Sequence, residues 1–369
     1  MTSATAPLAP PSRLPGPADA DRSKAVLFAA GLLSLLTTAI AGWAAWLTFA
    51  VAIPGPWQWA LGGAMLGVVS VAIWSFVPLV RGMRERAVSR RAFADGDTVT
   101  GRAARHRATH AAWLAMGTCL PVLFAAFFAL FLLANDHAVQ TTFFGAEFMW
   151  QSLGDVAVGF WQNIQIAVLA EILVLVWGLL IALARLVPGT AGRPIRWLAT
   201  VYVDVFRAIP SIIVIYLVGF GLPLAQVPFF SNLSPLWAAV LALSLTYGAY
   251  VAEVYRSGIE GVHWSQVAAS RSLGLSYGKT MRFVVVPQAV RRVMPPLLND
   301  FIGLQKDTAL VTIIGTVDAF TQAKIYASNY FNLSSVTLVA ILFIIITIPQ
   351  TRFVDRLIER DARKLRAKG

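Results

Sequence analysis

The residues best able to do chemistry in this chain are polar ones that interrupt apolar runs: Glu171, Asp204, Arg207, Glu253, Asn299, Asp300, Lys306, Asp307 and Thr308. Placing Arg, Lys or Asp at the centre of an apolar helix costs roughly 2.5–3.5 kcal/mol, so such residues bind, gate or lock something. Asp204 and Arg207 stand three apart and share a helical face, where they can neutralise each other. A structural lock is the preferred reading of that pair. Glu253 closes one apolar run. Asn299, Asp300, Lys306, Asp307 and Thr308 load another, and 306–308 read as lining a path or its gate. Glu171 sits mid-run in Ala167-Val168-Leu169-Ala170-Glu171-Ile172-Leu173-Val174. Protonation, a neighbouring chain or a polar path would each account for it.

Other chemistries fail on spacing. The histidines, His106, His110, His137 and His263, form no ligand cluster, so no metal is assigned. No nucleophile–base arrangement stands out. Gly274-Leu275-Ser276-Tyr277-Gly278-Lys279-Thr280 imitates a phosphate-binding loop, but Leu273 stands where the pattern needs glycine, and no strand precedes it. The chain is not expected to hydrolyse ATP.

A second candidate is a polar connection, Ser265-Gln266-Val267-Ala268-Ala269-Ser270-Arg271-Ser272-Leu273-Gly274, continuing through Tyr277 and Phe283 to Pro287-Gln288. Helix formers precede the glycine, and Gly turns a chain through the left-handed region without a Cβ penalty. Two short helices broken at Gly274 are expected, with Ala268, Ala269 and Ser270 as a small-residue face open to a partner. Physics alone leaves an ordinary connecting loop equally open.

The elements that must position these groups are membrane helices. The chain is 57% hydrophobic and only 13% charged, with a mean hydropathy of +0.68. A soluble surface of this size carries roughly twice that charge. Residues 25–51, 57–80 and 111–134 contain no charged residue, and each is long enough to cross a bilayer as a helix. Further spans are expected at 160–184, 197–222, 236–254, 293–315 and 333–351, about eight in all. Basic residues crowd 81–107, 185–196, 256–292 and 352–368, whereas 53–56, 135–159 and 223–234 carry no Lys or Arg. That alternation places both termini on the cytoplasmic side. The net charge of +12 therefore reports topology, not nucleic-acid binding.

The expected organisation is a disordered tail (1–23, with Pro7, Pro10, Pro11, Pro15 and Pro17), a three-helix unit (24–134), an extracytoplasmic loop (135–159), a five-helix unit (160–352) and a basic tail (353–369). Cys119 lies inside an apolar block and reads as a packing residue. Gly63 and Gly67 form a weak GxxxG pair.

The connection around Gly274 resembles the EAA-type coupling loop of binding-protein-dependent ABC importer permeases. Pro287-Gln288-Ala289-Val290-Arg291-Arg292, Leu304-Gln305-Lys306-Asp307-Thr308-Ala309-Leu310, Arg207-Ala208-Ile209-Pro210 and Tyr250-Val251-Ala252-Glu253-Val254-Tyr255-Arg256 are similar to the amino-acid branch (histidine-, glutamate- or glutamine-like) of that family. The resemblance spans about 160–355 and implies a type I permease core, with the first three helices as an extension outside it.

It also implies a docking loop (Gln266, Ala268, Ala269, Ser270, Gly274, Pro287) and a path or gate among Glu171, Arg207, Glu253, Asn299, Asp300, Lys306, Asp307 and Thr308. Where the family's motif begins with glutamate, this chain has Ala268, which removes any salt bridge made there. Further implications are a second permease subunit, a cytoplasmic ATPase dimer that binds ATP and Mg, an extracytoplasmic solute-binding protein, and a bacterial or archaeal cell membrane. No cofactor is expected on this chain. The rivals are a permease of the same superfamily for another small solute, and an ion-coupled secondary transporter using acids such as Glu171.

Overall fold

The computed structural model describes residues 22–51 and 56–366; the expected tail at 1–23 and the connection at 53–56 fall almost wholly outside them, as do 367–369 of the basic tail. All regular structure among the described residues is helical. The first compact unit, Met1–Gln140, holds α1 (Arg22–Val51), α2 (Pro56–Trp74), α3 (Phe76–Ala94) and α4 (Thr98–Leu132), with α5 (Ala134–Phe144) running into the next unit. The second, Thr141–Gly369, holds α6 (Ala146–Arg185), α7 (Arg193–Ala208), α8 (Ser211–Tyr216), α9 (Leu222–Leu224), α10 (Pro235–Glu260), α11 (Trp264–Ser272), α12 (Tyr277–Thr280), α13 (Val286–Asp307), α14 (Ala319–Tyr330) and α15 (Ser334–Arg366).

Among the described residues, 6 helices are long and apolar enough to cross a membrane, or 7 if the bent pair α7 and α8–α9 is one span. This is an all-α integral membrane protein. Of the eight expected spans, the one in α13 is not among these, because α13 carries Arg291, Arg292, Asn299, Asp300, Lys306 and Asp307 and does not stand out by apolarity.

Three further expectations are corrected. The fifth span is bent by 104° between Ala208 and Ser211. Pro210 has no amide proton and forces Ile209 out of the helical region, to ψ 128°. The seventh is also broken: α13 stops at Asp307, and a 3₁₀ turn, Thr308–Ile314, ends at Gly315 with φ 78°. The expected connection 135–159 is itself helical on either side of Gly145, in α5 and the start of α6. At 40 residues α6 is about 60 Å long, twice a bilayer's apolar thickness, so it runs well beyond any crossing.

Packing in the first unit relies on small side chains. Ala30, Ala108, Ala112 and Ala115 are fully buried and join α1, α3 and α4 with Leu27 and Leu79. Cys119 is buried with them and donates to the Ala115 carbonyl at 3.2 Å. A Cβ on Gly63 or Gly67 would meet nothing within 4 Å, so that pair makes no close helix contact. In the second unit α10 is the central helix, and its Leu243 and Val251 share a core with Ile166, Val174, Ile215 and Leu304. A Cβ on Gly178 would lie 2.7 Å from Val251, and one on Gly258 2.1 Å from Val293. Only glycine permits α6 and α13 to approach α10 so closely.

Candidate functional site

The connection after α10 folds into an elbow. His263 caps α11, its Nδ1 accepting from the Ser265 amide at 3.3 Å. At the other end the Gly274 amide donates to Arg271 (3.0 Å) and the Leu275 amide to Ser270 (3.2 Å), the paired bonds of a glycine-terminated helix. Gly274 has φ 81°, as its position after α11 requires. The Arg271 guanidinium donates to the Leu275 carbonyl at 2.7 Å, across the turn. Ser276 then caps α12. Val262, Val285 and Ala289 bury against one another and fix the elbow's root to α13.

Gln266, Ala268, Ala269, Gly274 and Pro287 are all exposed. Ser270 is not. It is buried and donates to the Thr280 hydroxyl at 3.1 Å, fastening α11 to α12. Its expected place on the open face is therefore wrong, because a hydroxyl one turn before the glycine points into the elbow. The elbow instead exposes large apolar side chains: Trp264, Leu273, Tyr277 and Phe283 are between 64% and 83% exposed. Such side chains in water call for a partner.

The polar candidates divide into three groups. The first is an electrostatic cluster. Asp300 of α13 lies within charge–charge reach of Glu171 on α6 and Arg207 on α7. Its Oδ2 is buried and makes no hydrogen bond among the described residues. Asp300 and Asp307 are seven apart and share a face of α13, beside Tyr247 of α10. Tyr247 closes on Gly303, where a Cβ would lie 3.2 Å from the phenol oxygen. Asp204 and Arg207 do not pair, contrary to expectation. The Arg207 guanidinium instead lies 5.5 Å from the centre of the Tyr250 ring, and the Tyr250 hydroxyl donates to the Arg207 carbonyl at 3.4 Å.

The second group is Glu253, which is ion-paired with Arg185 of α6 and with Arg256; Arg256 also pairs with Glu260. That geometry clamps α6 to α10 and uses up the carboxylate. Asn299 and Lys306, also seven apart, are exposed on α13 away from the cluster.

Thr308 belongs to a third arrangement. Asn163 of α6 is buried and donates to the Thr308 carbonyl (3.1 Å), the Thr308 hydroxyl (3.2 Å) and Asp318 (3.2 Å). It accepts from the Ala319 amide at 3.0 Å. Asp318, fully buried, also caps α14 through the Thr321 amide. A Cβ on Gly159 would lie 2.6 Å from Asp318, so α14 rests directly on α6. Sequence reading missed this knot. Its only signal was one asparagine in the apolar part of α6.

The described residues hold no group of three or more His, Cys, Asp or Glu able to bind a metal.

Helices of membrane-crossing length with polar groups between them, and an elbow that exposes large apolar side chains, define a polytopic membrane protein. Residues 186–366 match the family described as the inner membrane component of binding-protein-dependent transport systems. The chain is 34% identical over 202 residues to the arginine transport system permease protein ArtQ of Bacillus subtilis, covering 54% of this chain and 89% of ArtQ. It is 34% identical over 220 residues to the glutamine transport system permease protein GlnP of Escherichia coli K12, covering 59% of this chain and 97% of that one. The crystal structure of an amino acid ABC transporter with histidines aligns at 30% identity and a TM-score of 0.53, over 57% of this chain and 96% of that chain.

The chain belongs to this family: it is a permease subunit of an ABC importer, a multi-span protein of the cell membrane. Such systems include a solute-binding protein and an ATPase. The relatives are covered almost end to end by little more than half of this chain.

Proposed function

We propose that this chain is one half of the transmembrane dimer of a type I importer that carries a polar amino acid into the cell. The names of its relatives, permeases for arginine and glutamine, support that substrate class. The elbow from α11 to α12 seats in a cytoplasmic ATPase dimer, which binds ATP and Mg and transmits its closure through α13. Both termini lie in the cytoplasm, and the binding protein delivers solute at the opposite face, on the side of residues 135–159. α13 crosses with Asp300 and Asp307 turned into the bundle, and Glu171, Arg207 and Asp300 line the route. The five-helix core is the working part, and the preceding three helices are an addition to it.

The observation that carries this reading is the elbow: a glycine-terminated short helix rooted in α13 with four large apolar side chains exposed. A purely connecting loop would not expose them. The test is reconstitution with the cognate ATPase and binding protein in proteoliposomes, scored for uptake of labelled amino acids. Uptake should require internal ATP and external binding protein. Uptake without ATPase, driven by an ion gradient, would contradict the proposal.

A further inference from the structure

α7 has two opposite faces. Ala199 and Val203 are buried against the bundle, and Tyr202 and Phe206 turn the same way, with the Tyr202 ring between Trp177 of α6 and Phe206. Trp197, Val201, Asp204 and Ala208 lie on the other side, and all four are exposed. They are spaced four, three and four residues apart, the period of a seam along which one helix packs on another.

The acid on this seam is deep. Arg196 donates to the Gly189 carbonyl at 2.9 Å and holds the start of α7 to the turn that follows α6. Asp204 stands eight residues further on, about 12 Å along the helix, near the middle of an apolar layer about 30 Å thick. Among the described residues no ion pair neutralises it. A carboxylate at that depth is too costly to leave against lipid. A water-filled route does not account for Trp197, Val201 and Ala208 on the same stripe.

Arg207 lies one turn beyond Asp204 at the edge of the seam and is exposed as well. Its guanidinium stands over the Tyr250 ring and has Asp300 within charge–charge reach. Among the described residues it forms no ion pair with Asp300 or any other acid.

We infer that α7 packs along this seam against α7 of a second copy of the chain, with Asp204 of each copy accepting from Arg207 of the other. A two-fold axis along the membrane normal keeps equal residues at equal depth. The two acids then approach each other, and each Arg207, about 4.5 Å further along its helix, reaches back across the seam. Acid and cation sit on one patch, as a self-complementary contact requires, and the four charges cancel. This pairing rests on the dimer proposed above and names its second member as an identical chain.

The test uses the full-length protein carrying Cys119→Ser. Under mild oxidation in membranes, Val201→Cys should form a disulfide-linked pair of doubled mass. Ile195→Cys, 52% exposed but on the far side of α7, should not. The charges are tested with two differently tagged copies. Asp204→Arg and Arg207→Asp each set like charges across the seam, so either variant alone should lose at least about tenfold of its dimer in detergent. Co-expressed, the two variants present opposite charges to each other, and the mixed pair should return close to wild-type yield. An ion pair confined to one chain would not be rescued in this way.

Wild-type dimer yield from either single variant, or absence of rescue on co-expression, would overturn the inference. If the charged variants fail to insert, Val201→Cys decides, and absence of its cross-link overturns it. Isolation of the wild-type chain only with a different permease subunit would overturn it while leaving the proposed importer standing; a chain that stays single in mass would remove both.

Discussion

The Ser270 hydroxyl donates to the Thr280 hydroxyl at 3.1 Å, joining the two short helices on either side of Gly274. Both residues are buried, so this bond sets the angle at which the elbow is presented. Ser270→Ala strands the Thr280 hydroxyl, at a cost of roughly 1–3 kcal/mol confined to the elbow. Membrane abundance should be unchanged, while recovery of the ATPase with the purified permease should fall severalfold. Normal recovery would mean that the elbow angle is irrelevant to docking.

Gly274 separates conformation from space. Its φ of 81° disfavours a side chain, yet a Cβ there would meet nothing within 4 Å. A β-branched residue in this region is strained by more than about 1–2 kcal/mol, whereas asparagine tolerates it. Gly274→Val should abolish uptake, and Gly274→Asn should keep at least about a third of it. Equal loss in both variants would show that the surface, not the turn, needs glycine.

Asn163 predicts stability. Its side chain makes four hydrogen bonds joining α6, the Thr308 turn and α14. Asn163→Ala leaves Asp318 and the Ala319 amide short of partners and should cost roughly 2–4 kcal/mol. The thermal unfolding midpoint in detergent should drop by several degrees. Gly159→Ala, which would push against Asp318, should lower it too.

Asp300 lies within charge–charge reach of Glu171 and of Arg207. In the proposed route Glu171→Gln removes the charge while keeping shape and hydrogen-bonding capacity. Uptake should fall at least about tenfold with normal abundance, and Glu171→Leu should behave the same way. Wild-type uptake by both variants, at acidic and neutral pH, would remove Glu171 from the route.

Much of this was legible in the sequence for physical reasons. The apolar runs and their basic flanks announce membrane helices, and Gly274 announces a turn because few other residues adopt its φ. The Pro210 break was not foreseen within the expected span 197–222, although Ile209-Pro210 carries its cause. Ser270 was misplaced because a two-turn helix of small polar residues has no apolar stripe to orient it. Residues 146–159 read as a loop since Glu147, Gln151, Ser152 and Asp155 dilute their hydropathy; the helix is nonetheless continuous into the apolar part of α6. The Asp204–Arg207 pair failed because spacing permits a contact without requiring one, and the aromatic ring of Tyr250 draws Arg207 aside. The Asn163 knot joins residues about 150 positions apart and leaves no local pattern.

The most direct test of docking is a cross-link from Leu273, 83% exposed at the tip of the elbow. In a Cys119→Ser background, Leu273→Cys should cross-link to a cysteine introduced into the partner ATPase, and ATP should change the yield. It should also be labelled by an impermeant thiol reagent only after cells are opened. No cross-link to the ATPase, together with labelling of Leu273→Cys from outside intact cells, would contradict both the docking role and the orientation of this permease.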